Sequence, residues 1–277
     1  MARVLTPENL GRAWHQVKAN PGAPGVEGMT VEDFPVFAQE HGPSIRQALR
    51  DETYPPAPVR RPESPQRHGQ GKRWLGMPTG VERVIQPALA QGLGPLFDPD
   101  FSTASCGFRP GRSAPHAVKQ IQGYLKTGAK VAVDRDLAKF FDRVTPDALR
   151  ARVARKVRDK AVLRLMGQYR RAGGLVGEDR QPTATGVPHG SPLSPWLSTL
   201  RLEDVAQELE RRGHQFARYG DDFLLVGKSP RAGERVKASL TRVLPQPLKL
   251  ESKESKSTVG PTKAWVFLGF TFPGTRI

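Results

Sequence analysis

Residues 216–226 read FARYGDDFLLV, and this stretch decides the fold. Apolar runs flank the Gly220-Asp221 pair, which predicts a two-residue hairpin in which glycine supplies the positive φ. Such a turn places the carboxylates of Asp221 and Asp222 at the tip of the hairpin. Two adjacent like charges between hydrophobic strands are unfavourable unless water or a cation compensates them. An ordinary exposed turn is the alternative, and four residues of motif do not exclude it.

A second acidic stretch lies upstream, where residues 130–137 read KVAVDRDL. Its alternation predicts a strand in which Asp134 and Asp136 share one face. Taken alone, Asp136 is best explained as a residue that ends a strand. Together with the hairpin it completes a set of carboxylates on separate strands, as two-metal phosphoryl transfer requires. Mg²⁺ is the expected ion, because it prefers hard oxygen ligands and binds few protein carboxylates.

The remaining elements predict an α+β fold. Helices are predicted at 6–20, 30–49, 82–97 (interrupted at Pro87), 114–126, 145–171, 192–212 and 230–245, and further strands near 256–259 and 264–272. Residues 51–72 are rich in proline and basic side chains and predict an extended arm or hairpin.

The net charge of the chain indicates which class of molecule the protein binds. Lys and Arg total 43 against 27 Asp and Glu, and the formal net charge of +16 favours a polyanion such as nucleic acid. A basic protein with ordinary solvated faces is the alternative. The predicted helix at 145–171 carries basic side chains on too many faces for all of them to contact one duplex.

Cysteine usage and hydropathy exclude other classes. Cys106 is the only cysteine, so one chain can form neither a disulfide nor a cysteine-based zinc site. The first residues lack the apolar core of a signal peptide, and no apolar run is long enough to span a membrane. We therefore expect a cytoplasmic protein with no membrane partner.

Short blocks stand in a fixed order along the chain. They are NPGAPGVEGMT at 20–30, KRWLGMPTGVERVIQ at 72–86, GFRPGRSAPHA at 107–117, DLAKFFD at 136–142, GVPHGSPLSP at 186–195, ELERRGHQFARYGDDF at 208–223 and FLGF at 267–270. With these blocks the chain resembles the maturase-type reverse transcriptases encoded by bacterial group II introns, over essentially its whole length.

The resemblance implies the fingers and palm of a right-hand polymerase, with an antiparallel palm sheet whose YGDD hairpin packs on helices. Residues 1–125 would form an N-terminal extension and most of the fingers, and 126–277 the palm with an interposed fingers helix. One reverse transcriptase domain would span roughly 47–277. Family members normally continue into a thumb, and often into maturase and endonuclease regions, so a fragment or a thumbless variant of poor processivity is expected.

The resemblance also implies which residues are catalytic. Asp136, Asp221 and Asp222 would hold two Mg²⁺ ions, with Mn²⁺ as an alternative, and Leu137 would add a backbone carbonyl. Lys256 matches a lysine proposed to protonate the departing pyrophosphate.

Other residues match positions that bind the nucleotide. Lys72 and Arg73 resemble fingertip cations that bind the triphosphate, and a solvated basic loop is their alternative. Phe141 matches an aromatic gate that excludes a ribose 2′-hydroxyl, with a core aromatic as the alternative. His189 stands where the family has Gln beside the nascent base pair, so nucleotide selection is expected to differ.

The implied partners are an RNA template, a DNA or RNA primer, dNTPs and intron RNA. Arg83 is expected to help the fingertip cations and, like Arg109 and Arg112, to contact template and primer. For Arg109 and Arg112 the alternative is that they brace the fingers. Within the YGDD motif, Gly220 stands where the family usually has Ala, and this departure removes no metal ligand.

Three functions are therefore compared. The first is an RNA-directed DNA polymerase, a nucleotidyltransferase. The second is a non-catalytic RNA-binding protein that assists splicing. The third is an RNA-directed RNA polymerase, since YGDD also occurs in viral replicases, but a gate at Phe141 would disfavour ribonucleotides.

Overall fold

A computed structural model describes residues 1–65, 72–74, 76–136, 146–176, 179–181, 191–243 and 258–272, and some residues within strands and helices, Asp136 among them, are described by their backbone alone. The helices are α1 (Pro7–Ala19), α2 (Phe34–Arg50), α3 (Gly80–Phe97), α4 (Ala114–Lys126), α5 (Pro146–Ala154), α6 (Lys160–Ala172), α7 (Ser194–Arg211) and α8 (Pro230–Val243). The strands are β1 (Val59–Arg60), β2 (Glu63–Pro65), β3 (Lys72–Trp74), β4 (Val131–Asp136), β5 (Gly174–Val176), β6 (Asp179–Gln181), β7 (Gln215–Tyr219), β8 (Asp222–Gly227), β9 (Thr258–Pro261), β10 (Val266–Phe267) and β11 (Phe270–Thr271).

The chain forms two compact units. One contains Met1–Phe97 and Phe141–Pro195, and the other contains Asp98–Phe140 and Trp196–Ile277. Each unit draws on two separate stretches of chain. The second unit holds the predicted acidic strands, and we call it the sheet unit.

A four-stranded antiparallel sheet forms the centre of the sheet unit, in the order β7-β8-β4-β9. Tyr219 pairs with Asp222, which leaves Gly220 and Asp221 as the two-residue turn between β7 and β8. The structure thus confirms the predicted hairpin and the predicted strand ending at Asp136. It also confirms the α+β fold with an antiparallel sheet packed on helices.

Alternation along these strands buries both faces of the sheet. On one face, Leu224 and Val226 pack with the buried residues of α4 and with Phe267 and Phe272 near the C-terminal hairpin of β10 and β11. On the other face α8 lies against the sheet, so close at Gly233 that a Cβ atom there would come within 2.7 Å of the Val259 side chain. Helices and the C-terminal hairpin thus cover the two faces of the sheet.

The other unit is mainly helical. Helix α1 packs on α3, where the side-chain amide of Asn9 (Nδ2) donates to the carbonyl oxygens of Val4 and Ala88, each at 2.9 Å. Strands β1, β5 and β6 form a small sheet. Strands β2 and β3 pair antiparallel, which agrees with the hairpin that was one of the two predictions for the proline-rich residues 51–72. Among the described residues, no helix is long and apolar enough to cross a membrane.

One predicted helix is wrong in its extent. The single basic helix expected at 145–171 is two helices, α5 and α6, because the Asp159 carboxylate accepts the Val162 amide and begins a new helix. In contrast, α3 is continuous through Pro87, where an interruption was expected. Helix α2 begins after Asp33 rather than at Thr30, whose hydroxyl donates to the Asp33 carboxylate instead.

Candidate active site

The turn between β7 and β8 carries two of the predicted catalytic carboxylates. Gly220 has a φ of 63°, a left-handed conformation that glycine adopts without steric cost. Asp221 follows it and is half-buried, and Asp222 is exposed as the first residue of β8. The sequence therefore placed both residues correctly at the hairpin tip.

The third carboxylate belongs to the neighbouring strand. Asp136 is the last residue of β4, and it pairs in register with Asp222. Directly opposed residues in an antiparallel pair have Cα atoms about 4.5–5.5 Å apart. The backbone thus brings positions 136, 221 and 222 to one end of the sheet. Leu137 and Phe141 lie outside the described residues.

The turn rests on the backbone of a distant segment, the start of the GFRPGR block. A Cβ atom at Gly107 would lie 2.2 Å from the Gly220 nitrogen, so only glycine fits at this position. Next to it, Phe108 has a φ of 56°, and its ring centroid lies 5.6 Å from that of Tyr219. Phe108 is 46% exposed beside the turn. The close approach fixes the height of the turn above this segment.

A buried ion pair that the sequence did not predict lies beneath the turn. Arg218 of β7 and Glu203 of α7 are 1% and 0% exposed, and a guanidinium Nη2 lies 2.8 Å from the Glu203 Oε2. Burial lowers the pKa of Arg218 to about 10, although the Glu203 carboxylate opposes the shift. Burial likewise raises the pKa of Glu203, against the opposing charge of Arg218. The sequence did contain a signal for this pair, because strand alternation places Arg218 on the same inward face as Phe216.

The two arginines of the GFRPGR block have different surroundings. The Arg109 guanidinium donates to the Asp98 carboxylate at 2.7 Å and to the carbonyl oxygens of Ser102 and Ser105, each at 2.8 Å. This engagement favours the bracing role over a contact with template. Arg112 is exposed, and its guanidinium donates to the Thr103 carbonyl at 3.3 Å.

The predicted fingertip cations belong to the other unit. Lys72 and Arg73 lie in β3, opposite Pro65 and Ser64 of β2, and are described by their backbone alone. Arg83 is half-buried, and its guanidinium donates to the carbonyl oxygens of Gly22 and Ala23.

The block that contains Arg83 is joined to two other blocks. The Gly80 amide donates to the Glu27 carboxylate at 2.8 Å. The buried Gln86 accepts hydrogen bonds from the Ser191 hydroxyl at 2.5 Å and from the Leu193 amide at 3.4 Å. Three blocks distant in sequence thus meet around the start of α3. His189 and Lys256 lie outside the described residues.

The donor set at the turn suits a hard divalent cation, because carboxylate oxygens are the ligands that such ions prefer. Among the described side chains no group of three or more His, Cys, Asp or Glu is arranged to hold a metal ion. That set does not include the Asp136 side chain. The coordination of metal by Asp136, Asp221 and Asp222 therefore stays a prediction that the backbone register supports.

Comparison with known proteins identifies the family. A family model described as reverse transcriptase (RNA-dependent DNA polymerase) matches residues 65–272. Protein YkfC of Escherichia coli strain K12 is 29% identical over an alignment that covers 100% of this chain and 82% of YkfC. Group II intron-encoded protein LtrA of Lactococcus lactis subsp. cremoris is 31% identical over 202 residues, which cover 73% of this chain but only 33% of LtrA.

A solved structure has a similar fold. Telomerase from Candida tropicalis, in complex with a TWJ fragment of telomeric RNA, aligns with 88% of this chain and 47% of its own chain. The TM-score is 0.57 and the sequence identity is 14%, so the likeness concerns the fold alone.

Proposed function

The chain belongs to the reverse transcriptase (RNA-dependent DNA polymerase) family, and we propose that it adds deoxynucleotides to a primer 3′-hydroxyl under the direction of an RNA template. Its fold is that of the fingers and palm of such polymerases. The observation that carries the proposal is the register of Asp136 with Asp222 beside the Gly220–Asp221 turn. Carboxylates that converge from the ends of two adjacent strands are an arrangement suited to two-metal phosphoryl transfer.

Reverse transcriptases use divalent metal ions, and the carboxylates at the turn fit that requirement. We assign two Mg²⁺ ions to Asp136, Asp221 and Asp222, with Mn²⁺ as an alternative and the Leu137 carbonyl as a further ligand. Such ions would activate the primer 3′-hydroxyl and stabilise the leaving pyrophosphate. Lys256 is proposed to supply the proton that the pyrophosphate takes up.

The proposal assigns the remaining nucleotide contacts to the predicted residues. Lys72 and Arg73 would bind the triphosphate as cations of a strand hairpin. Phe141 would exclude a 2′-hydroxyl, and His189 would lie beside the nascent base pair. Of the three arginines assigned to template and primer, Arg112 is the exposed one.

The chain's surroundings are part of the same proposal. Its partners would be an RNA template, a DNA or RNA primer and intron RNA, in the bacterial cytoplasm. A formal net charge of +16 supports binding to these polyanions. We assign residues 1–125 to an N-terminal extension and most of the fingers, and residues 126–277 to the palm with an interposed fingers helix.

Primer extension on an RNA template tests the proposal directly. We expect the wild-type protein to extend a DNA primer with dNTPs in the presence of Mg²⁺, and Asp221→Asn to reduce extension to background. Asp221→Asn should still bind primer–template, because it alters a metal ligand rather than the basic surface. The matched control is Glu234→Gln, which neutralises an exposed carboxylate on α8 and should leave extension unchanged.

Other outcomes distinguish the competing functions. Binding of RNA without extension under Mg²⁺ or Mn²⁺ would support the non-catalytic RNA-binding protein. Preferential incorporation of NTPs would support an RNA polymerase and would contradict the gate at Phe141. With a functional gate, Phe141→Ala should increase NTP incorporation relative to dNTP incorporation.

A further inference from the structure

The buried pair of Arg218 and Glu203 has no part in the proposed chemistry, yet it lies next to it. Arg218 precedes Asp221 by three residues on the strand that leads into the turn. Its guanidinium Nη1 donates to the carbonyl oxygen of Gly220 at 3.4 Å, which is a contact with the turn itself. Arg218 is therefore connected to the residue immediately before a proposed metal ligand.

The same guanidinium connects the turn to two other elements. Its Nε and Nη2 donate to the Ser105 hydroxyl oxygen at 3.1 and 2.7 Å, and that hydroxyl donates to the Glu203 Oε2 at 2.9 Å. The other Glu203 oxygen accepts the amide of Ser102. One hydrogen-bonded cluster thus joins β7, α7 and the segment before Gly107.

Backbone contacts couple that segment to β7 at the same level. The Cys106 amide donates to the Arg218 carbonyl at 2.8 Å, and the Arg218 amide donates to the Ala104 carbonyl at 2.8 Å. Gly107 follows Cys106 directly and lies so close to Gly220, two residues after Arg218, that no side chain fits between them. A shift of the segment would therefore move the turn.

Stability alone does not account for a buried ion pair. Replacing such a pair by well-packed apolar residues is often neutral or stabilising, because desolvation of both charges offsets their attraction. What apolar residues cannot reproduce is a donor aimed at the Gly220 carbonyl and a directional bond to Ser105. The chemistry of the cluster favours a positional role.

We propose that Arg218, held by Glu203 and Ser105, is a positioning residue that fixes the Gly220–Asp221 turn for metal binding. The inference rests on the proposed polymerase function, since it assigns the metal ligands to that turn. According to this inference, metal binding requires the buried Arg218 cluster in addition to the carboxylates. Partners that orient metal ligands typically contribute about 10–100-fold to metal affinity or activity.

The test compares three variants with the wild-type protein. Arg218→Met combined with Glu203→Leu removes both charges and leaves apolar side chains in the buried site. Arg218→Lys keeps a charge but lacks the planar group that reaches Ser105 and Gly220 together. Arg211→Met is the control, because it removes an exposed arginine paired with Glu208 on the same helix.

For the apolar double variant we expect cooperative unfolding to be retained and the Mg²⁺ concentration for half-maximal extension to rise about 10-fold or more. The maximal rate should fall by a similar factor, whereas the dissociation constant for primer–template should change little. Arg218→Lys should show the same pattern to a smaller degree. Arg211→Met should match the wild-type protein in all three measurements.

Hydrogen–deuterium exchange tests the positional role by a measurement that does not depend on catalytic activity. Hydrogen–deuterium exchange of the peptide that spans Tyr219 to Phe223 should be about 10-fold faster in the double variant, because the turn loses its donor. An unchanged Mg²⁺ titration in an active, folded double variant would overturn the inference and leave the polymerase assignment intact. If the wild-type protein extends no primer, the polymerase proposal fails, and unchanged exchange of this peptide would then overturn the positional role separately.

Discussion

Glu82 should make the protein less stable as the pH rises. Its carboxyl is 1% exposed in α3, accepts the Tyr54 hydroxyl at 2.8 Å, and lies near the buried Tyr169 hydroxyl. Its second oxygen has no hydrogen-bond partner among the described residues. Burial has the largest effect on this carboxyl, and it raises the pKa of Glu82 from 4.5 to about 7. We therefore expect Glu82→Gln to stabilise the folded protein at alkaline pH.

The sign follows from proton linkage. Because the folded-state pKa is raised, the folded protein favours the protonated carboxyl, and the benefit is complete below about pH 4.5. It is lost as the pH rises through about 7, where the buried group ionises. A difference of one pKa unit corresponds to about 1.4 kcal/mol, so the destabilisation is about 1 kcal/mol near pH 5.5 and about 3 kcal/mol near pH 8.5.

Urea unfolding at several pH values measures this penalty. Glutamine cannot ionise and still offers an oxygen to Tyr54, so the free energy of unfolding of Glu82→Gln should exceed that of the wild-type protein by about 2 kcal/mol more near pH 8.5 than near pH 5.5. Glu32→Gln, which alters an exposed carboxylate of the same unit, should show no such pH dependence. An equal effect of Glu82→Gln at both pH values would refute the reasoning.

Three further predictions concern two glycines of the turn region and one helix cap. Gly107→Ala places a Cβ atom 2.2 Å from the Gly220 nitrogen, so it should lower the free energy of unfolding by about 3 kcal/mol and reduce primer extension. The control Gly123→Ala lies in open space on α4 and should instead raise stability by about 0.5–1 kcal/mol in thermal unfolding. Gly220→Ala introduces the residue usual in the resembling family at a φ of 63°, and should cost about 1–2 kcal/mol; a neutral result would show that the turn relaxes. Asp159→Ala removes the acceptor of the Val162 amide and should cost about 1 kcal/mol in urea unfolding, with loss of helical circular dichroism if α6 frays; equal stability would contradict its role as a cap.

Local chemistry is what made much of the fold predictable. Glycine with aspartate between apolar runs specifies a tight hairpin, and alternation specifies its strands, so β7 and β8 follow from neighbouring residues alone. Helix α1 is another case, since Thr6 and Pro7 provide a cap and a first-turn proline, and the Thr6 hydroxyl does accept the Asn9 amide.

The division of the basic helix shows where local pattern was insufficient. Basic residues continue from Arg150 to Arg171, and helical propensity by itself does not end a helix among them. The break occurs at Asp159, whose carboxylate accepts the Val162 amide at the start of α6. The same carboxylate pairs with the amino group of Met1. The Val162 amide is a local partner, but Met1 lies 158 positions away, and a local window does not show that contact.

By itself the sequence determined the hairpin that carries Asp221 and Asp222 and, through the order of its blocks, the resemblance to reverse transcriptases. Turn chemistry and strand period act over a few residues, which is why they can be read directly. Only the tertiary structure decided that Asp136 lies opposite Asp222 and that Arg218 meets Ser105, 113 positions away, beneath the turn. Strand register and burial of a charge depend on packing between distant segments, and the sequence of neither segment specifies its partner.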